Sequence, residues 1–399
     1  MRTTFPKLFL LSIVFSLVTS YAWGVSGNIL ANIPTASNGY PAATPVFDSA
    51  GNLFFSVAGY ALTDGSIVEA SPTSGGQWNL SIIHAFSGLD GRHPASSLVF
   101  DGAGNLYGTT FYGGTADAGV VFKLTPTGNG QWTESVIYNF GGAGNLAIPS
   151  SGLIFDSAGN LYGVTSIGGK GTGAVYELSP DGNGNWTETT IYGFDAFEDG
   201  VIPFNDLVFD ASGNLYGTTS NGGRVNSGIV YRLTPGTAGW TETILYDFSA
   251  NGDGMVPSGV VLDSAGNLYG TTYFGGMLGG GRLYKLSPAS GFWRETVIHD
   301  FGAALDGTAP RGELVFDAHG RLYGATYGGG IFGEGTVYRF SPVAGGGWKG
   351  RILHQFPYDA FDGFSPDSGP ILDNAGNLYG LTPNGGKFGI GVAYRITPN

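Results

Sequence analysis

Apolar residues in this chain come in short bursts, and one burst pattern returns along its whole length. A clear copy reads Leu98-Val99-Phe100, then the polar segment Asp101-Gly102-Ala103-Gly104-Asn105, then Leu106-Tyr107-Gly108-Thr109-Thr110. A Gly-Gly loop (Tyr112-Gly113-Gly114) leads to Val120-Val121-Phe122-Lys123-Leu124-Thr125-Pro126, and an alternating run from Trp132 to Phe140 follows. Runs of this length, rich in β-branched and aromatic residues and bounded by Gly, Pro or Asn, predict short strands. The Asp that closes the first burst recurs as Asp48, Asp101, Asp156, Asp210, Asp263, Asp317 and Asp373, at intervals of 53 to 56 residues. A catalyst need not be copied seven times. The recurring Asp therefore reads as a turn former, with the Gly three residues on supplying a positive φ.

Four antiparallel strands per repeat is the layout of a propeller blade. The Trp-opened strand occurs six times, at Trp78, Trp132, Trp186, Trp240, Trp293 and Trp348, against seven Asp blocks. The last repeat stops after its third strand, at Ile396-Thr397-Pro398, and the missing strand stands at the other end of the chain. There Ile29-Leu30-Ala31-Asn32-Ile33 aligns with the run Val136 to Phe140, and Ile33 precedes Asp48 by the spacing that separates Phe86 from Asp101. The expectation is an all-β, seven-bladed β-propeller of four-stranded antiparallel blades. Its blades fall at about 41–93, 94–148, 149–202, 203–256, 257–309 and 310–365, and the last, 366–399, is completed by 25–33. Closing the ring this way removes an exposed edge strand.

Composition narrows the function classes. The 72 Gly among 399 residues are too many for a helical fold. A net charge of −13 with 17 Lys and Arg argues against a nucleic-acid partner. The absence of Cys excludes disulfides, thiolate metal sites and a Cys nucleophile. At the start, Arg2 and Lys7 precede the apolar run Leu8 to Val18, and Ser20-Tyr21-Ala22 follows. This is the layout of a secretory signal peptide over residues 1–22, since a membrane span needs about 20 apolar residues. No second long apolar run and no hydrophobic tail follow. The expectation is one propeller domain over 23–399, secreted, monomeric, without a membrane span and without a surface anchor.

The recurring elements Leu-Ile-Phe-Asp-x-x-Gly-Asn-Leu-Tyr-Gly, Gly-Gly, Tyr-x-Leu-Ser/Thr-Pro and Trp-Thr-Glu-Thr resemble the GloVer (Gloeo/Verruco) tandem repeat. The Asp-x-x-Gly-Asn-Leu-Tyr core is also similar to the NHL repeat of other propellers. The GloVer resemblance covers essentially the whole mature chain. It implies a bacterial exported propeller of undefined activity from a family described as choice-of-anchor tandem repeat proteins.

In a propeller the Gly-Gly loops and the loops from each fourth strand to the next blade share one face, where the central channel opens. The latter carry Asp-Gly-x-x-Pro, starting at Asp90, Asp199, Asp253, Asp306 and Asp362. A ring of acidic loops gathering cations is one reading; the favoured reading is a turn that Pro stiffens. Residues that break the repeat at the channel mouth are the better candidates. Just after the loop Pro most blades carry Ala, Ser, Gly or Thr, whereas one has Asp206, one has Arg311 and Glu313, and one has Asp367. Converging carboxylates suit a divalent cation such as calcium or an acid/base pair, although no cofactor is called for by a motif. Loop aromatics Phe111, Tyr112, Tyr273, Phe274 and Tyr327 add stacking surfaces. The ligand-binding set expected is Asp206, Arg311, Glu313, Asp367, Tyr112 and Tyr273, with no catalytic residue assigned.

Other residues are quieter. His84, His299 and His354 fill the fourth-strand position held elsewhere by Tyr138, Tyr192 and Tyr246, and read as packing residues. Asp181 to Asn185 imitates the start of a calcium loop, but Trp186 stands where that loop needs Gly and Tyr192 where it needs Glu. It reads as a hairpin turn. Two function classes remain: a non-catalytic scaffold binding an extracellular ligand, glycan or protein on its loop face, and an extracellular propeller enzyme (lyase, lactonase or glycan-active hydrolase) with its site at the channel mouth.

Overall fold

The computed structural model describes residues 27–398 apart from 38, 61–62, 143–145, 196, 250–251 and 359–361. The expected signal peptide, residues 1–22, lies outside the described residues. Seven antiparallel sheets form a β-propeller. The second blade is typical, with strands Val99–Phe100, Leu106–Thr110, Val120–Gly128 and Gln131–Asn139. In the seventh blade the strands Ile371–Leu372, Leu378–Thr382 and Val392–Ile396 are completed by Gly27–Asn32 from the other end of the chain. Ile29 stands opposite Tyr394 and Asn32 opposite Val392. This N-terminal strand closes the ring as the repeat count requires.

Each recurring Asp is held by its own turn. Asp101 Oδ1 accepts the backbone N–H groups of Ala103 and Asn105, both at 2.9 Å, while Oδ2 accepts Asn105 Nδ2 and the Tyr107 hydroxyl. Gly104 sits at φ +83° in open space, so it is the backbone conformation and not crowding that demands glycine there. A different constraint explains the Gly after each Leu-Tyr. Gly163 faces Tyr176 on the third strand, and a Cβ at Gly163 would stand 2.5 Å from the Tyr176 hydroxyl oxygen. In the first blade the sizes are exchanged, with Phe55 opposite Val68. The pair keeps its combined bulk, which is what a close-packed core conserves.

The cores lie between blades. In blades one to six the Phe just after the fourth strand packs on the third-strand ring of the next blade, edge-to-face in Phe140 on Tyr176 and Phe248 on Tyr284, each at 5.2 Å. The connecting loops add a polar joint. In six of the blades the residue before the loop Pro, namely His93, Ile148, Ile202, Val256, Ala309 or Ser365, adopts φ between 54° and 61°. That left-handed geometry is costly for Ile and Val. It aims each N–H at a carbonyl of the preceding blade, as in Ile202 to Thr172 and Val256 to Ser227, both at 2.9 Å. The Asp-Gly-x-x-Pro loop is thus a blade-to-blade joint as well as a turn.

The innermost strands position the candidate site. In the fourth blade the strand is split into Val201–Pro203 and Val208–Phe209, and the break carries Phe204, Asn205 and Asp206. The fifth blade has one residue fewer between its Pro257 and Asp263, so Gly254–Leu262 runs unbroken. In the sixth blade Gly307–Phe316 absorbs the extra residue as a bulge, with Gly312 at φ +71°.

Candidate functional site

The residues following each loop Pro line a cavity of about 560 Å³ at the mouth of the central channel. Every blade contributes. Asp206, Arg311, Glu313 and Asp367, the four residues that interrupt the repeat, all face it, and Tyr273 joins them. Tyr112 does not. Its ring lies against the Arg92 guanidinium, 5.5 Å from its centroid, and borders a separate small pocket with Tyr60 and His93.

Asp206 and Glu313 occupy the same repeat position, four before the recurring Asp, filled elsewhere by Thr44, Ser97, Gly152, Gly259 and Gly369. Asp206 Oδ1 accepts the Gly152 N–H at 2.5 Å, so this carboxylate reaches the neighbouring blade. Glu313 accepts the Thr44 hydroxyl. The absence of a side chain at Gly152 is what admits Asp206, whose carboxylate oxygens stand 2.9 and 3.0 Å from the point a Cβ would occupy. Burial raises the Asp206 proton affinity first, and the Glu313 charge raises it further, while hydrogen bonds from Gly152 and Ser97 oppose them. Asp206 is thereby held well above the ordinary carboxylate range. Asn205, beside it, donates to the Pro257 carbonyl and the Thr218 hydroxyl, both at 3.1 Å, which fixes its orientation.

A second pair sits at the first position after the loop Pro. Arg311 donates to Asp367 of the adjacent blade, and its guanidinium lies 4.6 Å from the Tyr273 ring centroid and 4.9 Å from that of Tyr327. A cation held between two rings and a carboxylate is fixed in place. Burial raises Asp367 in spite of Arg311, and burial with the Asp367 charge raises Tyr40. Above these pairs runs an arc of aromatic rims. Tyr40 meets His93, His93 meets Phe111 and Phe111 meets Phe204, at 6.4, 5.5 and 6.2 Å between centroids. Phe204 and Phe274 are each about half exposed, at 47% and 48%. The arrangement joins two carboxylate-bearing layers, one fixed guanidinium and open aromatic faces in one small space.

Sequence reasoning missed Phe204, Asn205 and Tyr40. The signal was present for the first two, because Phe204-Asn205 breaks the small-residue pattern in the same blade as Asp206. It was absent for Tyr40, which precedes the loop Pro. The fourth-strand histidines also do more than pack: His84 Nε2 lies 3.1 Å from Asp90 and His299 Nε2 2.6 Å from Asp306.

The Gloeobacter/Verrucomicrobia repeat matches the chain over residues 40–251 and 238–399. None of the curated proteins matches it. Among solved structures, a putative gluconolactonase is 16% identical, covering 84% of this chain and 95% of its own, with a TM-score of 0.45. A luciferin-regenerating enzyme is 16% identical, with coverages of 82% and 98% and a TM-score of 0.47. A protein of unknown function from Dyadobacter fermentans is 14% identical, with coverages of 82% and 97% and a TM-score of 0.47.

Proposed function

Because the chain belongs to the Gloeobacter/Verrucomicrobia repeat family, in which the blades themselves are near-copies, we propose that its individual function resides in the residues that break the repeat: an exported binding propeller that takes a small polar ligand, of saccharide size, in the channel-mouth cavity. The observation that carries this reading is the convergence of Asp206, Arg311, Glu313 and Asp367 on one cavity of about 560 Å³. That volume is in the range of small-ligand sites. Half-exposed Phe204 and Phe274 offer faces for a sugar ring. Asn205 and the Arg311–Asp367 pair offer oriented donors and acceptors for hydroxyls. Export rests on the layout of residues 1–22.

The test is calorimetric titration and thermal shift of the purified protein against a panel of saccharides and divalent cations, since binding to the folded state appears directly as stability. A ligand should bind the wild type and lose affinity in Asp206→Asn and Arg311→Ala. A panel without a single binder, or binding indifferent to both substitutions, would overturn the reading.

One observation favours the enzymatic alternative. Burial and the neighbouring Glu313 carboxylate raise the Asp206 proton affinity, and a carboxyl group displaced in this way beside a second one is the starting point for an acid/base pair. A lactonase, lyase or glycan hydrolase would then work at the same cavity. Its mark is product formation that disappears in both Asp206→Asn and Glu313→Gln while saccharide binding persists.

A further inference from the structure

The seams between blades carry their own repeated chemistry. At five seams the fourth-strand Tyr or His of one blade faces the Asp of its own Asp-Gly loop, as at His84, Tyr192, Tyr246, His299 and His354, and some add the Glu of the next blade's Trp-x-Glu strand. Between the fourth and fifth blades this set is Tyr246, Asp253 and Glu295, and a cation fills it. The Arg282 guanidinium, 7% exposed, donates to Asp253 at 3.2 Å and to Glu295 at 3.1 Å. Its Nε reaches Asp300 at 2.8 Å. The seam between the first and second blades has the same two carboxylates, Asp90 and Glu134. The strand position that Arg282 holds is Val120 there, as the registers Thr272 to Arg282 and Thr110 to Val120 show. The cation is therefore missing, and the Tyr is replaced by His84.

We infer that this seam is a divalent-metal site, with zinc as the ion its donors suit, held by His84 Nε2, Asp90 Oδ2 and Glu134 Oε1. The ligand atoms of the three side chains all lie within 4.8 Å of one another. Tetrahedral zinc with bonds of about 2.1 Å requires ligand separations of about 3.4 Å, so a small inward movement of side chains suffices. Glu134 Oε1 is shut off from solvent and has no hydrogen-bond partner. A buried carboxylate oxygen without a partner is costly and is relieved by a cation. Asp90 is oriented for the task, because its Oδ1 is occupied by the Ser87 N–H at 2.7 Å and the Ser87 hydroxyl, leaving Oδ2 toward His84. Among the described residues no other place brings a His together with two carboxylates in this way. None of the three residues lines the channel-mouth cavity, so the site stands or falls separately from the proposed ligand cavity.

The experiment is titration of the chelator-treated purified protein with a zinc salt, followed by calorimetry and thermal shift. The wild type should bind one equivalent. His84→Tyr installs the residue that the seam between the third and fourth blades uses, where the Tyr192 hydroxyl donates to Asp199 at 2.9 Å, so the fold is expected to hold. That variant and Glu134→Gln should each lose about 100-fold or more in zinc affinity, with melting temperature in chelator unchanged. Asp206→Asn should bind zinc as the wild type does. A wild type that binds no zinc, or zinc binding that survives both His84→Tyr and Glu134→Gln, would overturn the assignment. If His84→Tyr fails to fold, Glu134→Gln alone decides.

Discussion

Asp206 and Asp210 belong to the same blade, and their environments push their proton affinities in opposite directions. Burial raises both. At Asp210 it is outweighed by donors of the local turn: Asn214 through Nδ2 and N–H, the Tyr216 hydroxyl and the Ser212 N–H. Its carboxyl sits below the ordinary range. At Asp206 burial is reinforced by Glu313, and the donors from Gly152 and Ser97 do not compensate. The first carboxylate is satisfied by residues that travel with it in the repeat. The second is placed by its neighbours in other blades, whose hydrogen bonds do not offset its burial and the nearby Glu313 charge. A carboxylate whose charge the fold resists is what a ligand can answer; one fully committed to its turn has nothing left to offer.

Four measurements would break or sharpen this contrast. The largest effect is expected from Asp210→Ala, which strips the acceptor from four donors and should cost about 2–3 kcal/mol in denaturant unfolding. Next, Arg311→Ala leaves the partly buried Asp367 without its cation. It should cost about 1–3 kcal/mol above the range where Asp367 ionises and less below it, read as unfolding free energy at two pH values. Asp206→Asn should act in the reverse sense. Since the native proton affinity of Asp206 exceeds that of the unfolded chain, the contribution of Asp206 to wild-type stability falls as pH rises from about 4 to about 7. The Asn variant should lack that fall and be as stable as wild type or more so near pH 8. For Asp210 the sign is the other one: its contribution is present above the unfolded value and is lost as pH falls through the lower native value. The smallest stability effect is expected for half-exposed Phe204→Ala, within about 0.5 kcal/mol of wild type. Its ligand affinity should nonetheless drop, and a loss of stability with no loss of affinity would make the aromatic rim mere packing.

Much of the site was legible because the chain repeats itself. Six near-identical blades act as controls for the seventh, so Asp206, Arg311, Glu313 and Asp367 stand out as departures at two repeat positions just after the loop Pro. The same comparison applied to Phe204 and Asn205 would have found them too. Tyr112 shows where that reasoning fails. It lies on the right face, but its ring turns outward onto Arg92, and strand pattern carries no information about which way a loop side chain points. His84 shows another limit. Its substitution for Tyr is visible in the sequence, but Glu134 is in the next blade and the meeting of the two needs the seam.

The sequence by itself determined the strand lengths, the turn at each recurring Asp, the number of blades and the strand that closes the ring, because these follow from local propensities and from a period counted along the chain. Only the tertiary structure decided which charges meet. Asp206 and Glu313 are more than a hundred residues apart, and Thr44 and Glu313 further still. Their interaction depends on ring closure, which brings distant inner strands together around one axis, where partial burial strengthens it beyond its value in water.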